Sequence, residues 1–300
     1  MLRLLIIALV LGSGCAQQRA LSRYNYGDAG DYYTSERLQE ITGDQIERGE
    51  RRPVLDGVGW VLGIPSKIVL WDRRVDNHSV SPETEAAIAE YLAVNDLTSV
   101  KVRLNQYAPG DEWRRLVANK AVGPGWRYTF GTISWLEDAI FAGRIFGGDH
   151  YNPYTNTVNL YSDVPAIGLH EAGHAKDWAR RKYKGTYAAV YLLPGAPLWH
   201  EAVASRDALA YVKANGSREQ QEEAYRLLYP AYGTYVGSAI GDFVPGAAII
   251  PYAGAVVAGH IVGRVQGALT ASEQPSEQPA PFLPEMEPGS VTGEVLRSDP

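Results

Sequence analysis

Cysteine is nearly absent from this chain, which has one Cys, at position 15, among its 300 residues. A single cysteine excludes a framework of disulfides within the chain. Basic residues are also few, since 28 Lys and Arg stand against 34 Asp and Glu and the net charge is -6. They form no Lys/Arg-rich patch, so we expect no nucleic-acid partner.

The N-terminal segment lacks an apolar run long enough to cross a bilayer, because Leu4–Leu11 is much shorter than a membrane-spanning helix. Arg3 precedes this run, and three small residues connect it to Cys15. The segment resembles a bacterial lipoprotein signal, in which residues 1–14 are removed and the cysteine is acylated. The alternatives are a plain secretory signal and an N-terminal anchor helix.

The lipoprotein pattern is followed with one departure, at Gly12, where the family prefers Leu. Ala16 rather than Asp follows the cysteine, which resembles outer-membrane sorting. The resemblance therefore implies a protein of the bacterial cell envelope, lipid-anchored at Cys15 in the outer membrane and facing the periplasm.

The rest of the sequence predicts an α+β domain, residues 56–268, between a polar tether and a disordered tail. The tether covers residues 15–55, with one short helix near Ser35–Arg48, and the tail covers residues 269–300. Ser81 and the proline after it are typical of a helix start. Apolar or alternating runs predict strands at Lys67–Trp71, Ser99–Gln106, Trp126–Phe130, Gly143–Phe146 and Thr157–Tyr161. Because helices dominate after these mixed elements, the order is typical of α+β folds.

The stretch LHEAGHAKDW, Leu169–Trp178, holds two of the six histidines. Residues four apart share a helix face, so His170 and His174 can offer two imidazole nitrogens to one ion. Glu171 lies about 100° round the helix, where its carboxylate can reach a water on that ion and act as general base. The small, apolar flanks predict a buried helix, in which unpaired imidazoles are costly. This favours a Zn²⁺ site over a solvent-facing helix with two histidines.

These residues resemble the H-E-x-x-H helix of the zincin metallopeptidases, over about Gly143–Asp207 of the chain. The resemblance implies a small mixed sheet with an active-site helix and a mainly helical C-terminal half. It also implies an edge strand just before that helix, which binds the substrate backbone by strand addition. The residues in that position are Thr157, Val158, Asn159 and Leu160. Attack by a metal-activated water requires no nucleophilic Ser or Cys.

The third zinc ligand differs between zincin subgroups. Metzincins need Gly and His at the positions held here by Asp177 and Arg180, so that subgroup is excluded. Gluzincins take a Glu from a second, downstream helix, and the best match is Glu201. Asp177, His200 and His150 remain alternative ligands.

Residues around the ligands can also be matched to the gluzincin pattern. An Asp four residues after the ligand Glu often orients a ligand histidine in that group, and Ser205 stands at this position. Asp177 is a further candidate for a hydrogen bond to a ligand imidazole. An oxyanion-stabilising residue is expected, and Tyr187, Tyr191 and Tyr211 are not separated by the sequence.

A glycine-rich apolar stretch follows, with no charged residue between Asp242 and Arg264. We predict a helical hairpin over residues 227–267, in which glycines four apart suit close helix packing. Either the hairpin is buried against the domain, or residues 227–263 insert into or dock on a membrane, as in the membrane-bound gluzincins that this chain would then resemble.

The combined expectation is a lipid-anchored zinc metalloendopeptidase that acts on a peptide or protein substrate. His170, His174 and Glu201 would hold Zn²⁺, and Glu171 would activate water. Two other classes stay open. One is a zincin-like, metal-binding envelope assembly factor without peptidase activity, and the other is a structural lipoprotein whose glycine-rich hairpin docks on a membrane.

Overall fold

This computed structural model describes residues 26, 45–242 and 247–272. The described residues contain twelve helices and a four-stranded sheet. The strands are β1 (Ile46–Arg48), β2 (Lys101–Leu104), β3 (His150–Asn152) and β4 (Thr157–Leu160). The helices are α1 (Pro53–Leu62), α2 (Ile64–Leu70), α3 (Pro82–Val94), α4 (Pro109–Ala118), α5 (Pro124–Tyr128), α6 (Phe130–Ile140), α7 (Gly143–Phe146), α8 (Pro165–Ala179), α9 (Lys184–Val190), α10 (Ala196–Asn215), α11 (Arg218–Gly241) and α12 (Ile249–Ser272). The α+β class is confirmed. The predicted signal, Cys15 and the chain after Ser272 lie outside the described residues.

The sheet is mixed, with the strand order β1-β2-β4-β3. β1 and β2 run parallel, as do β2 and β4, whereas β3 is antiparallel to β4. The turn after β3 folds the chain back, and the Asn152 side chain stabilises it by accepting a hydrogen bond from the Tyr154 N–H (3.0 Å).

This topology corrects the expectation that Thr157, Val158, Asn159 and Leu160 form an edge strand. Their strand, β4, is paired on both sides, and all four residues are buried. A paired interior strand has no free edge for strand addition, so the edge on this side of the sheet is β3.

Several of the predicted elements are confirmed. Strands β2 and β4 lie within the predicted ranges, and α3 begins at Pro82, where the Ser81 hydroxyl caps it by accepting from the Thr84 N–H (3.3 Å). Three predicted strands are wrong, because Lys67–Trp71, Trp126–Phe130 and Gly143–Phe146 lie in helices or at their ends.

The limits of the domain also differ from the prediction. Ile46–Arg48, the end of a predicted tether helix, is strand β1 and pairs with β2, so the folded domain begins earlier than residue 56. At the other end α12 continues to Ser272, beyond the predicted limit at residue 268. The upstream part of that tether helix lies outside the described residues.

The HExxH helix, α8, lies in the main hydrophobic core between the sheet, α3 and α10. Its small residues, such as Ala172 and Ala175, are fully buried there. The rear of the helix is tied to α10 by a buried ion pair, in which Lys176 Nζ lies 2.7 Å from Asp207 Oδ1. The Tyr91 hydroxyl donates a hydrogen bond to the same aspartate. The HExxH helix is therefore fixed to α10, and Asp207 also links α10 to α3.

The predicted helical hairpin is present as α11 and α12, which pack along each other for most of their length. In the described residues, no individual helix combines the length and the apolar character needed to cross a bilayer. Taken together, α1 and α2 meet that requirement, with a bend of 50° between them.

Candidate metal centre

The two histidines of α8 face the same point. One helical turn separates them, and the Nε2 atoms of His170 and His174 are 3.1 Å apart. Both rings are largely buried, and they meet nearly perpendicular, with ring centroids 4.7 Å apart. Two imidazole nitrogens that converge in this way are either bridged by a proton or share a cation.

Glu201 of α10 completes the set. Its carboxylate oxygens lie 3.0 Å from His170 Nε2 and 3.4 Å from His174 Nε2. The two helices can approach this closely because residue 173 is glycine, where a Cβ would lie 3.1 Å from the Ala204 carbonyl oxygen. The three side chains offer ligand atoms within 4.8 Å of one another.

The geometry of the three donors fits a zinc ion. Tetrahedral zinc with bonds of about 2.0–2.1 Å separates its ligand atoms by about 3.3 Å. The two Nε2 atoms are 3.1 Å apart, close to that value, and each has one oxygen of Glu201 nearby, Oε2 at 3.0 Å from His170 and Oε1 at 3.4 Å from His174. Two histidines and a glutamate are also a ligand set of catalytic zinc, in which the fourth position stays open.

The carboxylate of Glu201 and the imidazole of His174 stabilise each other's charge. Burial alone would raise the pKa of Glu201, but the two imidazoles outweigh it and hold that pKa well below its usual range. Burial would lower the pKa of His174, but the charge of Glu201 and its hydrogen bond raise it to about 9. The pocket is therefore built around a carboxylate that stays ionised and attracts positive charge.

Ser205, one turn after Glu201 on α10, contacts the far side of a ligand ring. Its hydroxyl oxygen is 3.2 Å from His170 Nδ1. If Nδ1 carries the proton and donates it to Ser205, the Nε2 lone pair points at the metal position. This places Ser205 where the gluzincin pattern has an aspartate.

Asp177 was predicted to hydrogen-bond a ligand imidazole, but its carboxylate has other partners. Its carboxylate accepts hydrogen bonds from Arg181, one turn later on the helix, and from the Tyr187 hydroxyl. It lies outside the group of three candidate ligands, and its charge is one of the influences that raise the pKa of His174. Asp177 therefore organises the wall beside the centre rather than a ligand ring.

A cavity of about 360 Å³ opens over the metal ligands. Glu171 lines it next to His174 and Glu201, as the predicted general base must. The walls are mostly aromatic or apolar, and they include Phe130, Ile133, Tyr151, Tyr154, Trp178, Tyr187, Tyr191, Leu192 and Tyr235. The edge strand β3 forms one border through His150 and Tyr151.

Two histidines that were only alternative ligands line this cavity without joining the metal cluster. The His150 ring lies 3.3 Å from Asp138. Burial opposes its charge, but this carboxylate raises its pKa to about 9, so the ring is protonated at neutral pH. For His200, burial and the charge of His174 lower the pKa to about 4. Its buried Nε2 has no hydrogen-bond partner among the described residues.

The three tyrosines that the sequence could not separate occupy different places. The Tyr191 hydroxyl donates a hydrogen bond to Glu201 Oε1 (2.9 Å) and lines the cavity. Tyr187 lines it too but bonds Asp177. Tyr211 is buried in the core against Tyr91. Tyr235 of α11 also lines the cavity, and no motif pointed to it.

Comparisons with protein-family models, with curated proteins and with solved structures found no match for this chain. The likeness to zincins therefore rests on the HExxH residues and on the geometry of the centre that they form with Glu201.

Proposed function

We propose that this protein is a zinc-dependent metalloendopeptidase of the cell envelope. The proposal rests on one observation above the others. His170, His174 and Glu201 converge, with one ligand atom from each within 4.8 Å of the others, beside an aromatic cavity that Glu171 also lines. A structural zinc site closed by four protein ligands would leave no such open side.

Each residue has a role in the proposed hydrolysis. When bound, zinc lowers the pKa of a water in its fourth position towards 7. Glu171 accepts the proton of the attacking water and passes it to the departing amine. Glu201 stays ionised and holds the cation together with the two imidazoles.

The substrate is an extended peptide with a large apolar side chain near the cleaved bond. Its backbone would pair with the outer edge of β3, which no other described strand covers. Its side chain would contact the aromatic wall formed by residues such as Tyr151, Trp178 and Tyr187.

Substitution of Glu171 tests this proposal directly. Glu171→Gln should leave bound zinc unchanged and reduce cleavage of casein and of a mixed fluorogenic peptide library by about 100-fold or more, since it removes the base but no ligand. Zinc is measured by atomic absorption on the same samples used for the assay. Glu137→Gln is the matched control, because that exposed glutamate lines the same cavity but is not one of the three candidate ligands.

The results separate the two metal-binding functions. Full activity in Glu171→Gln would refute the peptidase proposal. If the wild type holds one zinc per chain but cleaves no member of the panel, the metal-binding assembly factor is the better explanation.

A further inference from the structure

Two helical segments outside the metal centre expose almost exclusively apolar side chains. Between Pro53 and Trp71, which covers α1 and α2, every exposed residue is apolar or glycine. Val54 is 85% exposed, Ile68 65% and Trp71 64%. Soluble surfaces scatter single apolar residues but seldom expose an uninterrupted set of this kind.

The second segment is α12. Its inner side packs on α11, while its outer side exposes a series of aliphatic residues with helical spacing. The larger members of that series are Ile249, Ile250, Val257, Ile261, Val262, Val265 and Leu269. Arg264 is the one charged residue exposed on the helix.

The two segments meet, so their apolar surfaces are neighbours. The Trp71 ring stacks on His260 of α12 with ring centroids 4.1 Å apart. His260 Nε2 donates a hydrogen bond to the Val69 carbonyl oxygen (2.8 Å), and the Arg264 guanidinium lies 4.5 Å from the Trp71 ring. We call the exposed residues of Pro53–Trp71 and Ile249–Ser272 the apolar face.

We propose that the apolar face docks on a lipid bilayer, with α12 and α2 lying in the interface rather than crossing it. A helix with one face packed on protein and the other exposed, aliphatic and almost uncharged is suited to the boundary between headgroups and acyl chains. Trp60 and Trp71, each with a cationic side chain over its ring, are of the kind that anchors proteins at this boundary.

Charge favours a bilayer over a second copy of this acidic chain. The exposed charges that flank the first segment are Arg51, Arg52 and Arg73, with Glu50 as the single acidic one, and Arg264 lies on α12 itself. The border of this first segment is mostly basic, which matches the anionic headgroups of a membrane surface. It is unusual in a chain with a net charge of -6.

Depth-dependent quenching tests this docking, and it does not depend on peptidase activity. The full chain, isolated from membranes and reconstituted in vesicles of phosphatidylethanolamine and phosphatidylglycerol, carries one added cysteine for an environment-sensitive fluorophore. The labelled variants are Ile68→Cys and Ile261→Cys on the face. Lys213→Cys, at an exposed residue of α10, is the control. The wild type, whose sole cysteine is Cys15, provides the labelling blank.

Bilayer docking predicts that nitroxides on the lipid acyl chains quench the labels at 68 and 261 several-fold and leave the label at 213 unchanged. Equal, weak quenching at all three positions would overturn the proposal. A different result would show that the face is an interface between two copies of the chain. In that case lipid nitroxides would not quench the labels at 68 and 261, but labels on neighbouring molecules would quench each other as the protein density in the vesicles rises.

Discussion

At the scale of single residues, the centre depends on which nitrogen of His170 carries a proton. Nε2 must be free for the metal, and Nδ1 has the Ser205 hydroxyl oxygen at 3.2 Å. A hydrogen bond to that hydroxyl fixes both the tautomer and the ring orientation. If zinc binds as we propose, Ser205 acts on the ion through His170.

Ser205→Ala should weaken zinc binding by about 10- to 100-fold, as is usual when the group that orients a ligand histidine is lost. Zinc affinity is measured by competition with a chromophoric chelator. Ser205→Thr should restore most of the affinity because it keeps the hydroxyl, and Ser238→Ala, on the exposed side of α11, should have none of the effect. Unchanged affinity in Ser205→Ala would remove this role.

We predict that His200, which lines the cavity, donates a hydrogen bond to a bound substrate. Its ring is packed between Tyr187 and Tyr191, with centroid distances of 4.5 and 5.2 Å, and its buried Nε2 has no partner among the described residues. Because its pKa is lowered to about 4, the ring is neutral at neutral pH. A neutral imidazole N–H can stabilise the oxyanion that forms during peptide hydrolysis.

His200→Phe keeps the stacked ring but removes the N–H, so kcat should fall by about 100-fold with little change in bound zinc or in Tm. Steady-state kinetics on the fluorogenic peptides, with zinc measured in parallel, give the result. His200→Gln should recover part of the rate. A His200→Phe enzyme with normal kcat would exclude the role.

The sequence alone predicts the residues whose chemistry requires a fixed spacing along a helix. The pairing of His170 and His174 follows from the helix period. Glu201 comes from the resemblance to gluzincins, as the best match among several candidate ligands, and the structure places it beside the two histidines. The partners of Asp177 and the position of His200 could not be predicted, because they depend on how α9 places Tyr187 and Tyr191 over α10. No local pattern encodes that packing.

At the scale of elements, the α11–α12 hairpin depends on close backbone approach. A Cβ at position 259 would lie 2.6 Å from Pro230 Cα and 2.6 Å from the Tyr229 carbonyl oxygen. Both neighbours are backbone atoms of α11, which cannot rotate away. By contrast, a Cβ at Gly254 of the same helix meets no atom within 4 Å.

Gly259→Ala should therefore lower the free energy of unfolding by about 1–3 kcal/mol through overpacking. Gly254→Ala, the matched control, should raise it by up to about 1 kcal/mol, because alanine favours the helix. Urea unfolding followed by circular dichroism measures both. The close approach would be unimportant if the two variants gave the same midpoint.

The elements that the sequence misassigned are short and apolar. Lys67–Trp71 and Trp126–Phe130 carry apolar and aromatic residues that suit either a strand or one or two helical turns. Prolines decide in favour of helix, since Pro65 and Pro124 stand at the first helical positions of α2 and α5. β3 was missed because a strand of three residues has too few positions for a period to show.

At the scale of the whole molecule, α11 connects the two surfaces for which we propose functions. Tyr235 lines the cavity, while Gly233 and Gly237, on the other side of the helix, contact α12. The metal centre is thus one helix away from the helix that carries much of the apolar face. Peptides held close to a membrane surface would be the natural substrates of such an arrangement.

Zinc should also stabilise the molecule as a whole, because the three ligands come from α8 and α10, whose packing forms part of the main core. A ligand at 100 times its Kd adds about 2.7 kcal/mol to the free energy of unfolding. For a domain of this size that corresponds to roughly 5–10 °C in Tm. Scanning calorimetry of the metal-free protein, with and without zinc, measures the shift.

Glu201→Ala should lose most of this rise in Tm and most of the bound zinc, whereas Glu50→Ala, at an exposed glutamate outside the cavity, should retain both. The comparison measures the contribution of Glu201 as third ligand, because His170 and His174 are present in both variants. A pair of imidazoles four residues apart binds zinc weakly unless a third ligand closes the site. If Glu201→Ala kept the full zinc-dependent rise, the third ligand would have to be sought elsewhere, and the convergence of Glu201 on the two histidines would not reflect metal binding.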